Sequence, residues 1–580
     1  MPLQTPATSI FMIFIISLIF ALFAFARPAY AIYNPLSVPN NKYGIHIVDT
    51  NDITDVAPLV NSTDGEWGYV TMVLPDSQRD HDRWQNIFNE MRRLHLIPII
   101  RLATHVENGT WVKPQKDRFY EIVNLLNSLN WPTENRYVIL YNEPNHANEW
   151  GGQLNPEDYA DYLTTFGIAL KEASSDFFIL PAGLDASAGN DGEAMDEGEY
   201  LQRMIGAKPE ILTLIDGWTS HAYPNPGFSG SPYATGRGTL TTYQWELSYL
   251  SSLGLSKQLP VFITETGWQH SEGKSYAAGL LSTDQVGVNL QVAAQNVWND
   301  PQIAAVTPFL FNYQDIPFDH FSFKQLDTSS FYSQYYAYQA ITKPKGTPKQ
   351  RESYTLLADL LPKTLVAGST YTLTAAVKND GQGILDPRDG YELTMTTGGS
   401  DMSVFVDPLP VVEPNAAGDI TIHLKTANRI GTFTVNVTLR HNGQDMMLQH
   451  RDITLVPPPS VEIHASLGWR KTGDAADVTV LLYDKNTLLQ KFTGLTMKNG
   501  VVRATGLTNI IPGNPYRVVT LVHGYLPRQT ITALGSKITT VYPSRFLPLD
   551  FNNDGAFTLA DFMALVRVSP VTAIFRFFGP

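Results

Sequence analysis

Residues 137–145 read YVILYNEPN, and this stretch decides the fold. A mostly apolar run leads directly into Asn142, Glu143 and Pro144. Strands that are apolar without alternation are typical of parallel sheets covered on both faces. A glutamate at the end of such a strand is costly to bury unless it is paired or used chemically. The stretch therefore predicts a buried parallel strand that brings a carboxylate to one edge of a sheet.

Eight stretches of similar character alternate with amphipathic helical patterns in the first part of the chain. They cover residues 43–49, 68–75, 97–104, 137–145, 177–185, 217–224, 260–268 and 303–315. Eight strand–helix units predict an α/β fold closed as a (β/α)₈ TIM barrel, with an open doubly wound sheet as the alternative. No glycine-rich phosphate loop follows the first strand, which weakens a nucleotide-binding version of that alternative.

The pattern changes at the basic linker TKPKGTPKQRE, residues 342–352. Beyond it, apolar and polar residues alternate and turns recur about every 8 to 12 residues, which predicts two all-β sandwich domains. The predicted domains are a catalytic barrel (32–345), an immunoglobulin-like sandwich (346–456), a small prealbumin-like β-domain (457–545) and a short calcium-loop tail (546–580).

Composition and the N-terminus narrow the class of protein. A formal net charge of −14 argues against nucleic acid as a partner. The absence of cysteine excludes disulfides, thiolate metal sites and cysteine nucleophiles. Residues 10–26 are almost wholly apolar, and Ala29-Tyr30-Ala31 fits a small-x-small cleavage site, so residues 1–31 predict a signal peptide and a secreted or cell-surface protein. An uncleaved N-terminal membrane anchor is the alternative.

Two glutamates stand at the ends of predicted strands, Glu143 on the fourth and Glu265 in ITETGW on the seventh. The carboxyl ends of barrel strands line the active face, so both side chains would meet there. Two such carboxyl groups could flank a glycosidic bond, one protonating the leaving oxygen and the other attacking the anomeric carbon. The two roles need different protonation states, and hence environments that separate the two pKa values.

The pair of motifs NEP and ETGW resembles the clan A glycoside hydrolases, which are retaining (β/α)₈ enzymes, over roughly residues 43–341. The motifs look most like family 39 and neighbouring families such as family 5. The resemblance implies that Glu143 is the general acid/base and Glu265 the nucleophile. It further implies hydrolysis of a β-linked poly- or oligosaccharide by double displacement, with no cofactor for catalysis.

The resemblance also implies substrate-binding side chains. Asn142 would hydrogen-bond the sugar 2-hydroxyl, and Tyr223 would hydrogen-bond the nucleophile. Arg101, at the end of strand three, could place a positive charge near Glu265, with a structural salt bridge as the alternative. His221 would line the cleft, and Trp268 could stack on a sugar face. Trp150 and His46 are further predicted cleft residues, with a structural role as the favoured alternative. Many clan members carry a tryptophan on strand eight, and Tyr313 or Phe311 would take its place here.

The tail reads DFNNDGAFTLAD from Asp550 to Asp561. Asp550, Asn552, Asp554 and Asp561 occupy positions 1, 3, 5 and 12 of a calcium loop. Oxygen ligands suit Ca²⁺, and an Asx-rich surface turn is the alternative. The loop resembles one half of a dockerin, which implies a cohesin-type partner. Full dockerins carry two loops and this sequence shows one, so a calcium-stabilised cap on the adjoining β-domain is an equal alternative.

Two functions remain open on the sequence alone. The first is an exported retaining β-glycoside hydrolase. The second is a non-catalytic cell-surface glycan-binding or adhesion protein built on the same barrel, because a fold does not imply a function. The presence of Glu143, Glu265, Asn142 and Tyr223 together favours the hydrolase, since a protein that only binds has no need of the carboxylate pair.

Overall fold

The computed structural model describes residues 32–398 and 401–567, apart from the side chain of residue 566. The chain forms two compact units, one ending at Arg351 and the other beginning at Glu352, within the predicted 342–352 linker. The predicted signal peptide, residues 1–31, lies outside the described residues. Within the described ranges, no helix has both the length and the apolar character needed to cross a lipid bilayer.

Parallel strands form the frame of the first unit, and all eight predicted strands are present. In chain order the strands are β1 (Gly44–Ile47), β2 (Gly68–Leu74), β3 (Leu96–Leu102), β4 (Val106–Glu107), β5 (Thr110–Trp111), β6 (Arg136–Leu140), β7 (Phe177–Pro181), β8 (Trp218–His221), β9 (Val261–Glu265) and β10 (Ile303–Val306). β4 and β5 form a short hairpin, and the others lie in two parallel sheets of order β1-β2-β3-β6-β7 and β10-β9-β8. Parallel bridges join the two sheets at both edges, Tyr43 with Val306 and Asp185 with His221.

Helices connect the parallel strands. The α-helices are α1 (Ile53–Val60), α2 (His81–Arg93), α3 (Phe119–Ser128), α4 (Pro156–Ala173), α5 (Glu197–Ala207), α6 (Ile211–Leu214), α7 (Thr242–Ser252), α8 (Thr283–Asn296) and α9 (Ser333–Gln339). Short 3₁₀ helices lie at Pro35–Ser37, Thr50–Asp52, Lys116–Arg118, Ala147–Glu149 and Asp319–Phe321. Local sequence sets where two of the α-helices begin. The Asn155 side chain caps α4, and Ser282 with Gln285 forms a capping box at α8.

The parallel strands are buried on both faces, which explains their continuous apolar sequence. In β6, Val138 and Leu140 belong to a large core that includes helix residues, whereas Tyr137 and Ile139 face a smaller, aromatic core. In that smaller core the Tyr137 ring packs on Phe262 with centroids 5.4 Å apart. Aromatic pairs contribute about 0.5 to 1.5 kcal/mol beyond the burial of their area. A slip of one residue in strand pairing would move each side chain of β6 from one core to the other, so this packing fixes the register of the strands.

The second unit consists mainly of β-strands. They are β11 (Tyr354–Leu356), β12 (Thr364–Val366), β13 (Thr370–Asn379), β14 (Glu392–Thr396), β15 (Ser403–Val406), β16 (Ala417–Lys425), β17 (Gly431–His441), β18 (Gln444–Val456), β19 (Ser460–His464), β20 (Ala475–Asp484), β21 (Thr487–Met497), β22 (Val501–Thr505), β23 (Pro515–Val522), β24 (Tyr525–Ala533) and β25 (Ile538–Val541), with a 3₁₀ turn at Pro387–Asp389 and α10 at Leu559–Arg567.

In the described part of the second unit, the strands form four sheets. Their orders are β11-β13-β16-β15, β12-β18-β17-β14, β22-β19-β25 and β21-β20-β23-β24. Two hydrophobic cores lie between them, one built from residues 360–455 and the other mainly from residues 461–546. The separation of an immunoglobulin-like sandwich (346–456) from a prealbumin-like domain (457–545) stays a prediction.

Candidate active site

The ends of two parallel strands place Glu143 and Glu265. Glu143 lies three residues beyond β6, and Glu265 is the last residue of β9. Tyr141 (φ 72°) and Glu143 (φ 28°) both have left-handed backbone, a strained conformation that folded proteins concentrate at functional sites. The Glu143 N–H donates to the Gly183 carbonyl at 3.1 Å, and its carbonyl accepts from the His146 N–H at 2.9 Å. These bonds hold the strained turn that aims the Glu143 side chain.

Asn145 ties this turn to the segment that follows β7. Its Nδ2 donates to the carbonyls of Asp185 at 3.0 Å and Met195 at 3.2 Å, and its Oδ1 accepts from the Asp185 N–H at 3.2 Å. The side chain is fully buried, so these bonds satisfy polar groups that would otherwise be left unpaired. The second asparagine of the NEPN motif therefore has a structural role.

His221, the last residue of β8, lies between the two glutamates. Its Nδ1 is 2.7 Å from Glu143 Oε1 and 3.7 Å from Glu265 Oε2. This nitrogen and one oxygen of each carboxylate lie within 4.8 Å of one another. Burial by itself lowers the pKa of His221, but the negative charges of Glu265 and Glu143 outweigh it and the pKa is raised. The raised pKa widens the pH range in which His221 is an imidazolium, the form that donates from Nδ1 to Glu143.

Gly183 makes room for the His221 ring. A Cβ atom at this position would come 2.2 Å from His221 Cδ2 and 2.4 Å from its Nε2. Both distances are far below van der Waals contact, so any side chain here would displace the imidazole. Gly183 also accepts the backbone hydrogen bond of Glu143, and it thus positions two of the central groups.

Glu265 has strong partners on both of its oxygens. Arg101 Nη1 lies 2.6 Å from Oε1, and the Tyr223 hydroxyl donates to Oε2 at 3.1 Å. Burial by itself raises the pKa of Glu265, but the charges of His221 and Arg101 and the Tyr223 hydrogen bond outweigh it, so the pKa is lowered. Glu265 is therefore held as a carboxylate.

His46, at the other side of Glu265, is neutral. Its Nδ1 lies 3.7 Å from Glu265 Oε1. Burial and the positive charge of Arg101 lower the pKa of His46 to about 3. Neither ring nitrogen has a hydrogen-bond partner in the part of the chain that the structure describes. The ring packs edge-on to Phe309 with centroids 5.2 Å apart.

A cavity of about 500 Å³ lies over the two glutamates and is lined by both. Further polar side chains in its wall are Arg101, Asn142, His146, Glu149, Asp185 and Gln269. Aromatic rings in its wall are Trp111, Tyr141, Trp150, Tyr223, Phe228, Phe309, Phe318 and Phe321. A largely apolar pocket with a few convergent polar groups is typical of sites for small organic ligands.

Two predicted stacking residues do not face this cavity. Trp268 is 1% exposed, and its Nε1 donates to the Gly230 carbonyl at 2.8 Å, because the loop after β8 covers it. Tyr313 is half-buried and packs edge-on to Phe318 at 5.4 Å. Phe318, 40% exposed, lines the cavity in its place. Trp150 lines the cavity but is fully buried, so it contributes a wall and not a stacking platform.

Other cavity residues carry no sequence signal of their own. Glu149 accepts a 3.4 Å hydrogen bond from Asn142 Nδ2. Trp111 and Phe318 lie in the hairpin after β3 and the loop after β10. Periodicity cannot separate a cleft aromatic from a core aromatic in such segments. Their one available signal is position, since segments that follow parallel strands lie at the carboxyl edge of the sheet.

The same three central groups offer two oxygens and a nitrogen at metal-binding spacing: Glu143, His221 and Glu265. A cation there would lie beside the Arg101 guanidinium, which contacts Glu265 at 2.6 Å. The two positive charges would compete for one carboxylate. The local electrostatics therefore favour proton chemistry over metal binding at this site.

A second carboxylate cluster lies in the tail of the second unit. Oxygens of Asp550, Asp554 and Asp561 lie within 4.8 Å of one another. The Gly555 N–H donates to Asp550 at 3.1 Å, and the Asn552 amide lies 2.6 Å from Asp554. Asp550 Oδ1 is buried and has no hydrogen-bond partner among the described residues. The three carboxylates among the four predicted calcium ligands thus lie close together, and the fourth residue, Asn552, is hydrogen-bonded to Asp554.

No family model and no curated protein matches this chain. Among solved structures, a family 39 glycoside hydrolase from the gut symbiont Bacteroides cellulosilyticus WH2 aligns at 14% identity and a TM-score of 0.36, over 68% of this chain and 82% of that one. An FMN-binding beta-glucuronidase from Facaelibacterium prausnitzii L2-6 aligns at 11% identity and a TM-score of 0.34, over 72% of this chain and 56% of that one. Similarities this weak do not identify a function, which has to be inferred from the side chains of the site.

Proposed function

We propose that this protein is a retaining β-glycoside hydrolase that cleaves the O-glycosidic bonds of a β-linked poly- or oligosaccharide. The observation that carries the proposal is the pair Glu143 and Glu265, whose nearest oxygens lie within 4.8 Å at the ends of two parallel strands. Retaining enzymes hold their carboxyl groups about 5 to 5.5 Å apart, whereas inverting enzymes leave about 6.5 to 9.5 Å for a water molecule. The short separation supports retention.

The chemistry proceeds in two displacements. First, the Glu265 carboxylate attacks the anomeric carbon, the bond to the leaving oxygen breaks, and Glu143 gives its proton to that oxygen. Then a water molecule attacks the same carbon, gives a proton to Glu143, and the bond to Glu265 breaks. Arg101 and Tyr223 support these roles, because they keep Glu265 ionised before the first step.

His221 suits both steps because of its place between the carboxylates. Before the first step the negative charge lies on Glu265, and in the covalent intermediate it lies on Glu143. The imidazolium, 3.7 Å from the first and 2.7 Å from the second, can compensate the charge in either state without moving. Groups that are already in place for the developing charge lower the barrier, since nothing has to reorganise.

We further propose that the parallel strands close into a (β/α)₈ barrel. The bridges Tyr43–Val306 and Asp185–His221, which join the two sheets at both edges, support this closure. The glutamates then lie at the carboxyl ends of the barrel strands, the face that carries the active site in barrel enzymes. Export through residues 1–31, to a secreted or cell-surface location, belongs to the same proposal.

For the tail, we propose that Asp550, Asn552, Asp554 and Asp561 hold Ca²⁺. Two observations support the fit: the carboxylates converge within 4.8 Å, and a buried oxygen of Asp550 has no partner among the described residues. Oxygen ligands at alternate loop positions match the preference of this hard cation. Bound there, the ion would neutralise the carboxylates and stabilise the loop.

The function is tested with Glu143→Gln and Glu265→Gln on a panel of β-linked glycans. We expect each change to reduce kcat on a glycan that the parent cleaves, by about 10²- to 10⁴-fold for the loss of general acid/base catalysis at Glu143, and to near background at Glu265. Glu172→Gln, the same change at an exposed position of α4, is the matched control and should keep parental turnover. Normal turnover in either site variant would refute the assigned roles.

A further inference from the structure

Glu197 and Glu246 are fully buried carboxyl groups that the mechanism does not use. Glu197 is the first residue of α5, and Glu246 lies in α7. Trp218, the first residue of β8, donates from Nε1 to Glu246 Oε2 at 2.9 Å. A buried carboxyl group is costly unless it is paired or protonated, so the surroundings of these two groups decide their state.

Hydrogen-bond donors around the pair are too few for two carboxylates. Both oxygens of Glu197 and Oε1 of Glu246 receive no hydrogen bond from a donor group of the described residues. Arg237 Nε lies 3.5 Å from Glu197 Oε2, and its Nη1 lies 2.7 Å from Asp196. The two carboxyl groups are within hydrogen-bonding reach of each other. Ionised carboxylates only accept, so a bond between these two groups needs a proton on one of them.

The charges that face the pair do not balance two carboxylates. The charged groups are Arg237, His221, Asp185 and Asp196. Of the two basic groups, Arg237 is already paired with Asp196, and His221 lies 2.7 Å from Glu143. Burial raises the pKa of both carboxyl groups, and the negative charge of Glu246 raises the pKa of Glu197 further. One proton on the pair removes one of the two buried negative charges.

The pair connects the two elements that hold Glu143 and His221. Glu246 is bonded to the first residue of β8, and His221 is the last residue of that strand. Glu197 follows closely on Met195, whose N–H donates to the Asn145 carbonyl at 2.9 Å and whose carbonyl accepts from Asn145 Nδ2 at 3.2 Å. Asn145 belongs to the turn that aims Glu143. A bond between the two carboxyl groups therefore ties β8 to that turn.

We propose that Glu197 and Glu246 share one proton and act as a positioning pair, which holds His221 beside Glu143. The positioning role rests on the proposed hydrolase, whereas the shared proton stands on burial and hydrogen bonding alone. Loss of the proton in alkali leaves two buried carboxylates against each other, and their repulsion drives α5 and α7 apart. The pair is thus a pH-sensitive fastening between the elements that carry the catalytic groups.

The shared proton is tested by infrared spectroscopy of the full-length protein in mildly alkaline D₂O, where a protonated carboxyl group has a carbonyl band separate from the carboxylate bands. We expect Glu197→Gln and Glu246→Gln each to remove the same intensity, that of one carboxyl group. The new amide donates the bond that the proton supplied, which leaves the remaining carboxyl group ionised. The double variant should lose no more than either single variant, and Glu172→Gln should keep the parental band. A parental band in either single variant would overturn the shared proton.

The positioning role is tested by comparing two changes at one residue. Glu246→Gln can keep the bonds to Trp218 and Glu197, whereas Glu246→Leu removes both. We expect kcat on a glycan that the parent cleaves to fall on the order of 10²-fold in the leucine variant, and by much less in the glutamine variant. Equal kcat in the two variants would overturn the positioning role. A parent that cleaves no β-linked glycan but shows the infrared signature would contradict the hydrolase and leave the shared proton standing.

Discussion

Two clusters of three ionisable groups, each within 4.8 Å, differ in what surrounds them. The strand-end cluster comprises Glu143, His221 and Glu265, and the tail cluster comprises Asp550, Asp554 and Asp561. The strand-end cluster contains its own imidazole and contacts the Arg101 guanidinium. The carboxylates of the tail cluster accept bonds from backbone N–H groups, but they have no basic side-chain partner in the part of the chain that is described.

The difference separates two uses of carboxylates. A cluster that carries its own positive charge can move a negative charge from one carboxylate to another at little electrostatic cost, which is what a double displacement requires. A cluster without positive charge is stable only when a cation arrives from outside. A cluster of acidic residues does not by itself distinguish a catalytic site from a metal site. The presence or absence of basic side chains beside the carboxylates makes that distinction.

The strand-end cluster should lose catalytic activity when its geometry is disturbed, even if no charge is changed. In Gly183→Ala, the new Cβ would lie 2.2 Å from His221 Cδ2 and push the ring away from Glu143. A displacement of about 1 Å in a catalytic constellation can cost about 10²-fold in rate. We expect a fall of that order in kcat, measured on a glycan that the parent cleaves.

The control for this prediction is Gly189→Ala. Gly189 lies in the same strand-connecting segment, and a Cβ there would meet nothing within 4 Å. It should keep parental kcat. Equal activity of both alanine variants would show that the position of His221 does not matter for turnover.

Removing the positive charge of Arg101 should shift the pH dependence of the activity that the strand-end cluster supports. Arg101 helps to hold the pKa of Glu265 below its ordinary value. In Arg101→Gln that pKa rises, so a smaller fraction of Glu265 is ionised in mild acid. We expect the acidic limb of the kcat/KM profile to move to higher pH, with the larger loss of activity at low pH. Arg101→Lys keeps the charge, and its acidic limb should stay closer to that of the parent.

The tail cluster should respond to the metal and leave catalysis unchanged. Calcium at about 100 times its dissociation constant would stabilise the folded tail by about 2.7 kcal/mol. We expect chelation with EDTA to lower the melting temperature of the second unit without changing kcat. Asp561→Asn should abolish the response to calcium, whereas Asp419→Asn, on the exposed side of β16, should retain it. A melting temperature that is insensitive to calcium would contradict the tail site.

The sequence anticipates groups that lie on regular elements. Glu143, Glu265 and Arg101 belong to strand ends, where an apolar run followed by a charge already indicates position, and the structure brings them together. The sequence does not anticipate groups whose place depends on how loops fold over one another. Trp268 follows a strand but is covered by the loop at Gly230, and this packing is long-range.

Loop residues that do face the cavity are equally hard to predict. Phe318 lies twelve residues beyond the end of β10, and Trp111 is in a two-stranded hairpin. Neither position has a periodicity that distinguishes it from a core aromatic. Glu149 has only its closeness to the NEPN motif as a signal, and its place in the cavity wall becomes visible only once the neighbouring side chains are placed.

The central claim is that Glu143 and Glu265 act as acid/base and nucleophile in a double displacement. The most direct test is the anomeric configuration of the first product, followed by ¹H NMR in the first minutes of cleavage of a β-linked oligosaccharide. We expect the β-anomer to appear first and the α-anomer to follow only by mutarotation. Initial release of the α-anomer would mean a single displacement and would contradict the roles assigned to this pair.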